Sequence, residues 1–440
     1  MNLRPGPEGP EPLVSTLQRR AVRYFLDEVH PNTGLVADSN EPGAPCSIAA
    51  VGMALGVHPI AVRLGLLDRD EAVRRTLRLL RVFHDGPQND GTEATGFRGF
   101  YYHFLDMATG RRTGGSELST IDTALLLAGV LAAASYFDHE APEEQEVRAI
   151  ADALYRRVDW RWALDGGPTL SHGWRPEEGF IPYRWEGYDE ALILYLLALG
   201  SPTYPIPAES YTAWTRSYSW KRIYGREMLY AGPLFVHQYS HLWIDFRGIQ
   251  DTFMRTKGSD YFENSRRATL IQQEYAIRNP LRFAEYSDCC WGLTASNGPG
   301  PTTKVIDGTE RHFLGYAARG APNGPDDGTI APWCAAASLP FAPEVVLPTL
   351  SRFQDLHVGA SSPYALESTF NPTYRTPNSG PVGWVSPWVY GIDQGALALM
   401  HENYQTGLVW KRFGQLSYLR AGLRRAGFHG GWLTAANLEA

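Results

Sequence analysis

Apolar residues recur along most of this chain at helical spacing, and the exceptions sort themselves into one hairpin and several long loops. Residues 12–30 carry Leu17, Ala21, Tyr24 and Phe25 on one helical face, and 47–67 and 68–83 follow as a helical pair joined at Leu67-Asp68. Asp68 is a plausible N-cap, with Glu71 three residues on. Residues 96–112 interleave Phe97, Phe100, Tyr102 and Phe104 with Arg98 and His103, which predicts a strand pair turning at Thr109-Gly110. Residues 117–137 and 143–158 form a second helical pair and 188–199 a further helix. The series continues through 207–218, 232–243, 261–278, 330–339, 343–353, 392–403 and 416–426.

About twelve helices without a heptad seam are too many for a simple bundle, and they lack the fixed sequence period of a solenoid. The pattern therefore predicts an all-α chain built as an (α/α)6 toroid. In that architecture the loops 160–183, 291–327 and 364–390, which hold many polar aromatics, line one end of the inner ring together with small β-hairpins.

Composition narrows the reading. The chain has 440 residues, 44% hydrophobic and 20% charged, with no linker that divides it, so one catalytic domain is expected over 13–440. The Pro-rich start, 1–12, reads as a flexible tail. No apolar run reaches the roughly 20 residues of a membrane span, so no membrane partner is expected. A net charge of -7 argues against nucleic acid, whose phosphates call for excess Lys and Arg, and favours a neutral ligand. The first residues lack a charged segment followed by an apolar one, which points to the cytoplasm, or to the periplasm or exterior if a leader was removed. Cys46, Cys289, Cys290 and Cys334 show neither metal-ligand spacing nor a disulfide framework, so free thiols are expected. The oligomeric state is not legible in these features.

The richest chemistry lies in Trp185-Glu186-Gly187-Tyr188-Asp189-Glu190, three carboxylates and two rings entering an apolar helix. Cleaving a glycosidic bond needs a carboxylic acid for the leaving oxygen, a second carboxylate, and aromatic faces for the sugar rings. Acids at a helix start also offset the helix dipole, which is the plainer account of the same residues. Asp122 precedes another apolar run, where Ser119 and Asp122 equally fit a capping box. His237 and His241 stand one helical turn apart without the Glu of a zinc protease motif, so hydrogen bonding to sugar hydroxyls or packing is preferred to metal. The loop 291–300 lacks the Lys of a phosphate loop and reads as a cleft wall, with Asn297 a candidate sugar contact. Asp326-Asp327 and Trp333 pair acids with a helix start and a ring. They read as turn and cap, with Asp327 and Trp333 retained as candidate contacts and too few oxygens for calcium.

The strings ELSTIDTALLLAG (117–129), WEGYDEALILYLLALGSPTYP (185–205), FVHQYSHLWIDFRG (235–248), WGLTASNGPG (291–300) and DDGTIAPWCAAASLPFAPE (326–344) resemble the glycoamylase-like family. That family includes the endo-β-1,2-glucanases of glycoside hydrolase family 144 and is related to the transglycosylating region of cyclic β-1,2-glucan synthases. The similarity runs in order over roughly residues 14 to 428. It implies an (α/α)6 toroid that cleaves β-1,2-glucan or sophoro-oligosaccharides with inversion and needs no metal or organic cofactor. Its GYxE portion falls on Gly187, Tyr188 and Glu190, and its STIDTA portion on 119–124 with the acid at Asp122. Two departures stand out: Asn297 where the family's loop often has Asp, and Tyr204 where His is common.

Glu190 is expected to be the general acid and Asp122 its partner. Glu186 competes if the helix extends back to it, because a spacing of four puts it on the face of Glu190. Glu117 and Asp189 are further catalytic candidates, ranked behind these and more simply explained as helix-end acids. Trp185, Tyr188, Tyr239, Trp333 and Trp384 are expected to supply rings to the sugar subsites, and His237, Gln238 and His241 polar contacts. Asp122, Glu190 and His237 should open into one cleft. The alternatives are a transglycosylase, a hydrolase of another β-glucoside, and a noncatalytic glycan-binding toroid.

Overall fold

The computed structural model describes residues 10–376, 379–380 and 382–435. Most of the expected N-terminal tail lies outside these residues. The described chain is mostly helical, and its helices fall into two chemical kinds.

The first kind is buried all round and mostly apolar, and one member also encloses Asp393, Gln394, His401, Glu402 and Asn403. It comprises α2 (Ile48–Arg63), α4 (Thr120–Tyr136), α6 (Leu192–Gly200), α10 (Pro332–Ala337) and α12 (Gly391–Gln405), whose side chains are almost all buried. A helix with no polar stripe has no face to offer water, so it must be enclosed by other elements. The second kind is amphipathic. It includes α1 (Pro10–Asp27), α3 (Arg69–Asp85), α5 (Pro142–Arg157), α11 (Pro343–Asp355) and α14 (Ser417–Arg425). In α3 the residues Ala72, Val73, Thr76, Leu77, Leu80 and Phe83 are buried at helical spacing, and Asp68 caps the start by accepting from Glu71 N, as the sequence predicts. The remaining helices are α7 (Ala208–Thr215), α8 (Thr252–Thr256), α9 (Tyr261–Arg278), α13 (Leu408–Phe413) and α15 (Gly431–Ala435).

The apolar helices touch one another in series. α12 packs on α2, α2 on α4 and α4 on α6, and α6 meets the turn Tyr239–Leu242. Gln238, just before that turn, donates to Cys334 O at 2.6 Å and Ser338 Oγ at 2.9 Å, and α10 packs back on α12. The amphipathic helices lie outside, α3 on α2, α5 on α4, α14 on α6 and α1 on α12. Contact is closest between α2 and α4, where a Cβ on Gly129 would overlap the carbonyl of Gly52. Only glycine lets these two backbones meet.

Five short antiparallel strands, Gly96–Phe97, Phe100–Tyr102, Leu118–Ser119, Gly173–Arg175 and Gly179–Phe180, join into a sheet beside the helix starts. Ser119 is paired with Tyr101 and Gly173 there, which anchors the start of α4. The expected hairpin turn at Thr109-Gly110 is present, with Leu105 bridged to Arg112.

Two expected helices are corrected. The one placed at 188–199 begins only at Leu192, because Ser240 Oγ captures the Glu190 carbonyl and 185–191 runs as bends and turns. The one placed at 232–243 is two 3-10 turns, Leu234–His237 and Tyr239–Leu242, broken where Gln238 leaves helical geometry at φ -120°. All four cysteines are free thiols.

Candidate active site

A cleft of about 790 Å³ opens where the apolar helices begin, and Ser47, Asp122 and Asp393 line it from three of those starts and Tyr239 from the neighbouring 3-10 turn. Five carboxylic acids reach it, Asp38, Glu117, Asp122, Glu190 and Asp393. Their surroundings differ.

On the α4 wall, Ser119 caps the helix by accepting from Asp122 N at 3.2 Å, and its hydroxyl donates back to Asp122 Oδ2 at 2.5 Å. In a capping box the acid would return to the cap's backbone N–H, whereas here that strand residue is engaged in the sheet and the carboxylate turns to the cleft. His103 places Nδ1 3.0 Å from Glu117 Oε1 and Nε2 3.6 Å from Asp122 Oδ2, and Arg175 stands 3.7 Å from Glu117. The hydrogen bond from His103 is the main force holding Glu117 down at about 2, against the opposing effect of burial. Burial disfavours the charge on His103, but Asp122, Glu117 and Asp38 more than offset this and raise it to about 9.

The α6 wall is the opposite. Glu190 is raised to about 8, first by burial and then by the charges of Asp189 and Asp122. Asp189 itself is spent on structure, accepting from Ala191 N at 2.9 Å and Trp214 Nε1 at 3.3 Å. Trp185 stacks on His172 with ring centroids 3.8 Å apart, and its Nε1 donates to Thr120 Oγ1 at 3.0 Å, so the ring is held in the cleft by the start of α4.

A third wall carries Asp38 and Asp393. Burial raises Asp38 to about 6, with His103 opposing, and Asp393 to about 8, with Ser368 opposing. Asn297 lines the cleft nearby and donates to Tyr390 Oη at 2.7 Å. Its loop is braced from behind by Arg319, which donates to Ser296 O at 2.6 Å and pairs with Asp327 at 2.8 Å in full burial.

Of the residues singled out in the sequence, Glu190, Asp122, Glu117, Trp185, Tyr239 and Asn297 line the cleft. The others lie elsewhere. Glu186 is exposed and accepts from Thr169 Oγ1 at 3.0 Å, and the helix that would have aligned it with Glu190 does not extend back that far. Tyr188 and His237 pack against each other behind the cleft, with His237 Nε2 donating to Ala231 O at 3.2 Å and Tyr188 stacked on Tyr261. Gln238 is buried between α10 and its own turn, and His241 is buried against Ser265, Phe246 and Phe341. Asp327 is the buried partner of Arg319, and Trp333 is core. Trp384 sits in a strand paired with Asn371 and is not among the described lining residues.

Among the cleft acids and imidazoles, Asp38, His103, His172 and Asp393 escaped the sequence reading. One signal was available for Asp393. Ile392-Asp393 opens α12 as Ile121-Asp122 opens α4, and all four residues line the cleft. His103 was visible only as a polar position in a strand, and Asp38 only as a loop residue.

The sequence profile of the family described as putative glucoamylase matches residues 182–417, a span that holds Glu190, Asn297 and Asp393. The chain belongs to this glycoamylase-like family. A putative glucoamylase of Bacteroides fragilis is 30% identical, covers 97% of this chain and 100% of its own, and superposes with a TM-score of 0.84. An endo-β-1,2-glucanase of Chitinophaga pinensis, solved with sophorotriose and glucose, is 25% identical over 96% of this chain and 99% of that one, with a TM-score of 0.81. An exo-β-1,2-glucooligosaccharide sophorohydrolase (non-reducing end) of Parabacteroides distasonis is 29% identical over 92% of this chain. The chain spans 56% of the length of that curated relative.

Proposed function

We propose that this protein is a glycoside hydrolase that cleaves β-1,2-linked glucan or its oligosaccharides with inversion, in a single (α/α)6 toroid over 13–440. The serial packing of α12, α2, α4, α6, the 3-10 turns and α10, with amphipathic helices outside, supports the toroid. The linkage follows the relatives from Chitinophaga pinensis and Parabacteroides distasonis.

The observation that carries the chemistry is the electrostatic contrast within one cleft. Glu190, near 8, keeps its proton at neutral pH and donates it to the leaving glycosidic oxygen as the bond to the anomeric carbon breaks. Asp122, beside the cation of His103, takes the proton of the water that attacks the same carbon from the other side. Its Oδ2 is occupied by Ser119 while Oδ1 makes no hydrogen bond within the described protein, which leaves it for that water. Asp393, raised to about 8, is mostly protonated at neutral pH, so little of it is available as a base. Trp185 and Tyr239 offer ring faces to the sugar.

Incubation with linear β-1,2-glucan, followed by chain-length analysis and NMR of the newly formed anomer, tests this reading. The expected products are shorter glucans or sophorose released first as the α-anomer. Absence of new reducing ends would reject hydrolysis, and longer chains would favour the transglycosylase.

A further inference from the structure

Both ring nitrogens of His103 face carboxylate oxygens, Nδ1 toward Glu117 and Nε2 toward Asp122. A neutral imidazole has one N–H and one lone pair, so it satisfies one carboxylate and repels the other. Only the imidazolium presents N–H to both, hydrogen-bonded to Glu117 at 3.0 Å and as a charge 3.6 Å from Asp122. The ring is fixed as well as charged. It stacks on Phe104 with centroids 4.0 Å apart and planes 13° from parallel, and its backbone N–H donates to Glu117 O at 2.9 Å. Asp38, from the loop before α2, adds a third acid to the surroundings of the ring, and Arg175 backs Glu117 from the far side.

We propose that His103 is a positioning residue for Asp122: as an imidazolium tied to Glu117, it holds the Asp122 carboxylate aimed, so that Oδ1 is presented to the attacking water. The proposal rests on the reading of Asp122 as the base. Ser119 and His103 both engage Oδ2, one as a neutral donor and one as a cation, and together they fix the carboxylate plane. Glu117 and Arg175 act further back, holding the ring on its other edge. The raised value of His103, near 9, agrees with a ring that stays charged at neutral pH.

The test is the pH profile of kcat/KM for His103→Gln and Glu117→Gln, measured beside Asp122→Asn on a β-1,2-glucan oligosaccharide. Removing a cation that faces a carboxylate makes the anionic base harder to form, so losing His103 should move the acidic limb to higher pH. His103→Gln is expected to do this and to lower kcat about tenfold, with KM and the alkaline limb of Glu190 unchanged. Glu117→Gln, which keeps the ring but frees its Nδ1 edge, should shift the same limb in the same direction by less, and it carries the test if His103→Gln fails to fold. An acidic limb that stays in place in a folded variant overturns the proposal even if rate is lost, since a merely structural role would slow turnover without moving that limb. Asp122→Asn separates the two readings. If it is inactive while the limb in His103→Gln is unmoved, only the positioning role falls, and if it retains near-normal turnover, the base assignment falls and takes this proposal with it.

Discussion

At the start of α4, Asp122 and Glu117 lie beside His103 and Arg175, whereas at the start of α6 the charged neighbours of Glu190 are acids, Asp189 and Asp122. Both helices are apolar throughout, both begin at the same cleft, and both place a carboxylic acid there. What differs is the company each acid keeps. A cation within a few ångströms holds Glu117 anionic on one wall, and burial without a cation holds Glu190 neutral on the other. Two groups of like chemistry are thereby driven to opposite protonation states at one pH, which is the condition for acid and base to act together. Asp189 makes the same lesson negative, since the acid adjacent in sequence to Glu190 is consumed by Ala191 N and Trp214.

The largest expected effect comes from removing either side of the contrast. Glu190→Gln and Asp122→Asn should each lower kcat by at least about a hundredfold, the scale of a lost general acid or base, with the thermal midpoint near wild type. In the wild type, kcat/KM should fall on the alkaline side as pH rises through about 8 and Glu190 gives up its proton. Normal turnover in Glu190→Gln would erase the comparison and move the acid to Asp393, the other cleft carboxyl raised to about 8. Unfolding of both variants would instead return these acids to helix capping.

A smaller effect separates rings inside the cleft from rings behind it. Trp185→Ala and Tyr239→Ala should raise KM about tenfold, as expected for losing an aromatic face worth about 1.4 kcal/mol, whereas Trp333→Ala should cost stability through its buried volume. The exposed tyrosines at the same cleft, Tyr183 and Tyr316 at 68% and 73%, should matter for longer glucans more than for short ones. Equal KM values in all of these variants on a long and a short oligosaccharide would reject the ring platforms.

The smallest effect reads the contrast as stability. Glu190 has a folded-state value above its ordinary 4.5, so the folded state binds the extra proton and stability declines as pH rises from about 4.5 to about 8. Glu190→Gln removes that decline and should raise the thermal midpoint at pH 8.5 by roughly 2 °C, with little change at pH 4. Glu117 is the reverse. Held near 2, it adds stability above 4.5 that is lost as pH falls toward 2, so Glu117→Gln should melt lower than wild type at pH 7 and converge with it in acid. Parallel melting curves across pH would show that the two walls do not differ.

Much of this was written in the chain. Runs such as Leu192 to Leu199 have no polar face and must be enclosed, and the alternation in α3 marks a helix with one side in water. An acid at the head of such a run is visible too, which is why Asp122 and Glu190 could be named from the strings that hold them. The extent of the helix after Glu190 was not visible. Its start is set by Ser240, some fifty residues away, and with it the alignment of Glu186 and Tyr188 is lost. Nor does an i,i+4 pair such as His237 and His241 say which way it faces, and both rings turned inward, to Tyr188 and to Ser265.

By itself the sequence determined most of the long helical segments, which of them must be inside, and where acids and rings are concentrated, because local spacing and polarity dictate these. Only the tertiary structure decided which acids share a cleft and which proton each keeps. Asp38, His103 and Glu117 come from loops and strands far apart from Glu190 and Asp393 in the chain. A carboxyl's proton affinity depends on burial and on charges a few ångströms away in space, and those distances are created only when the helices pack.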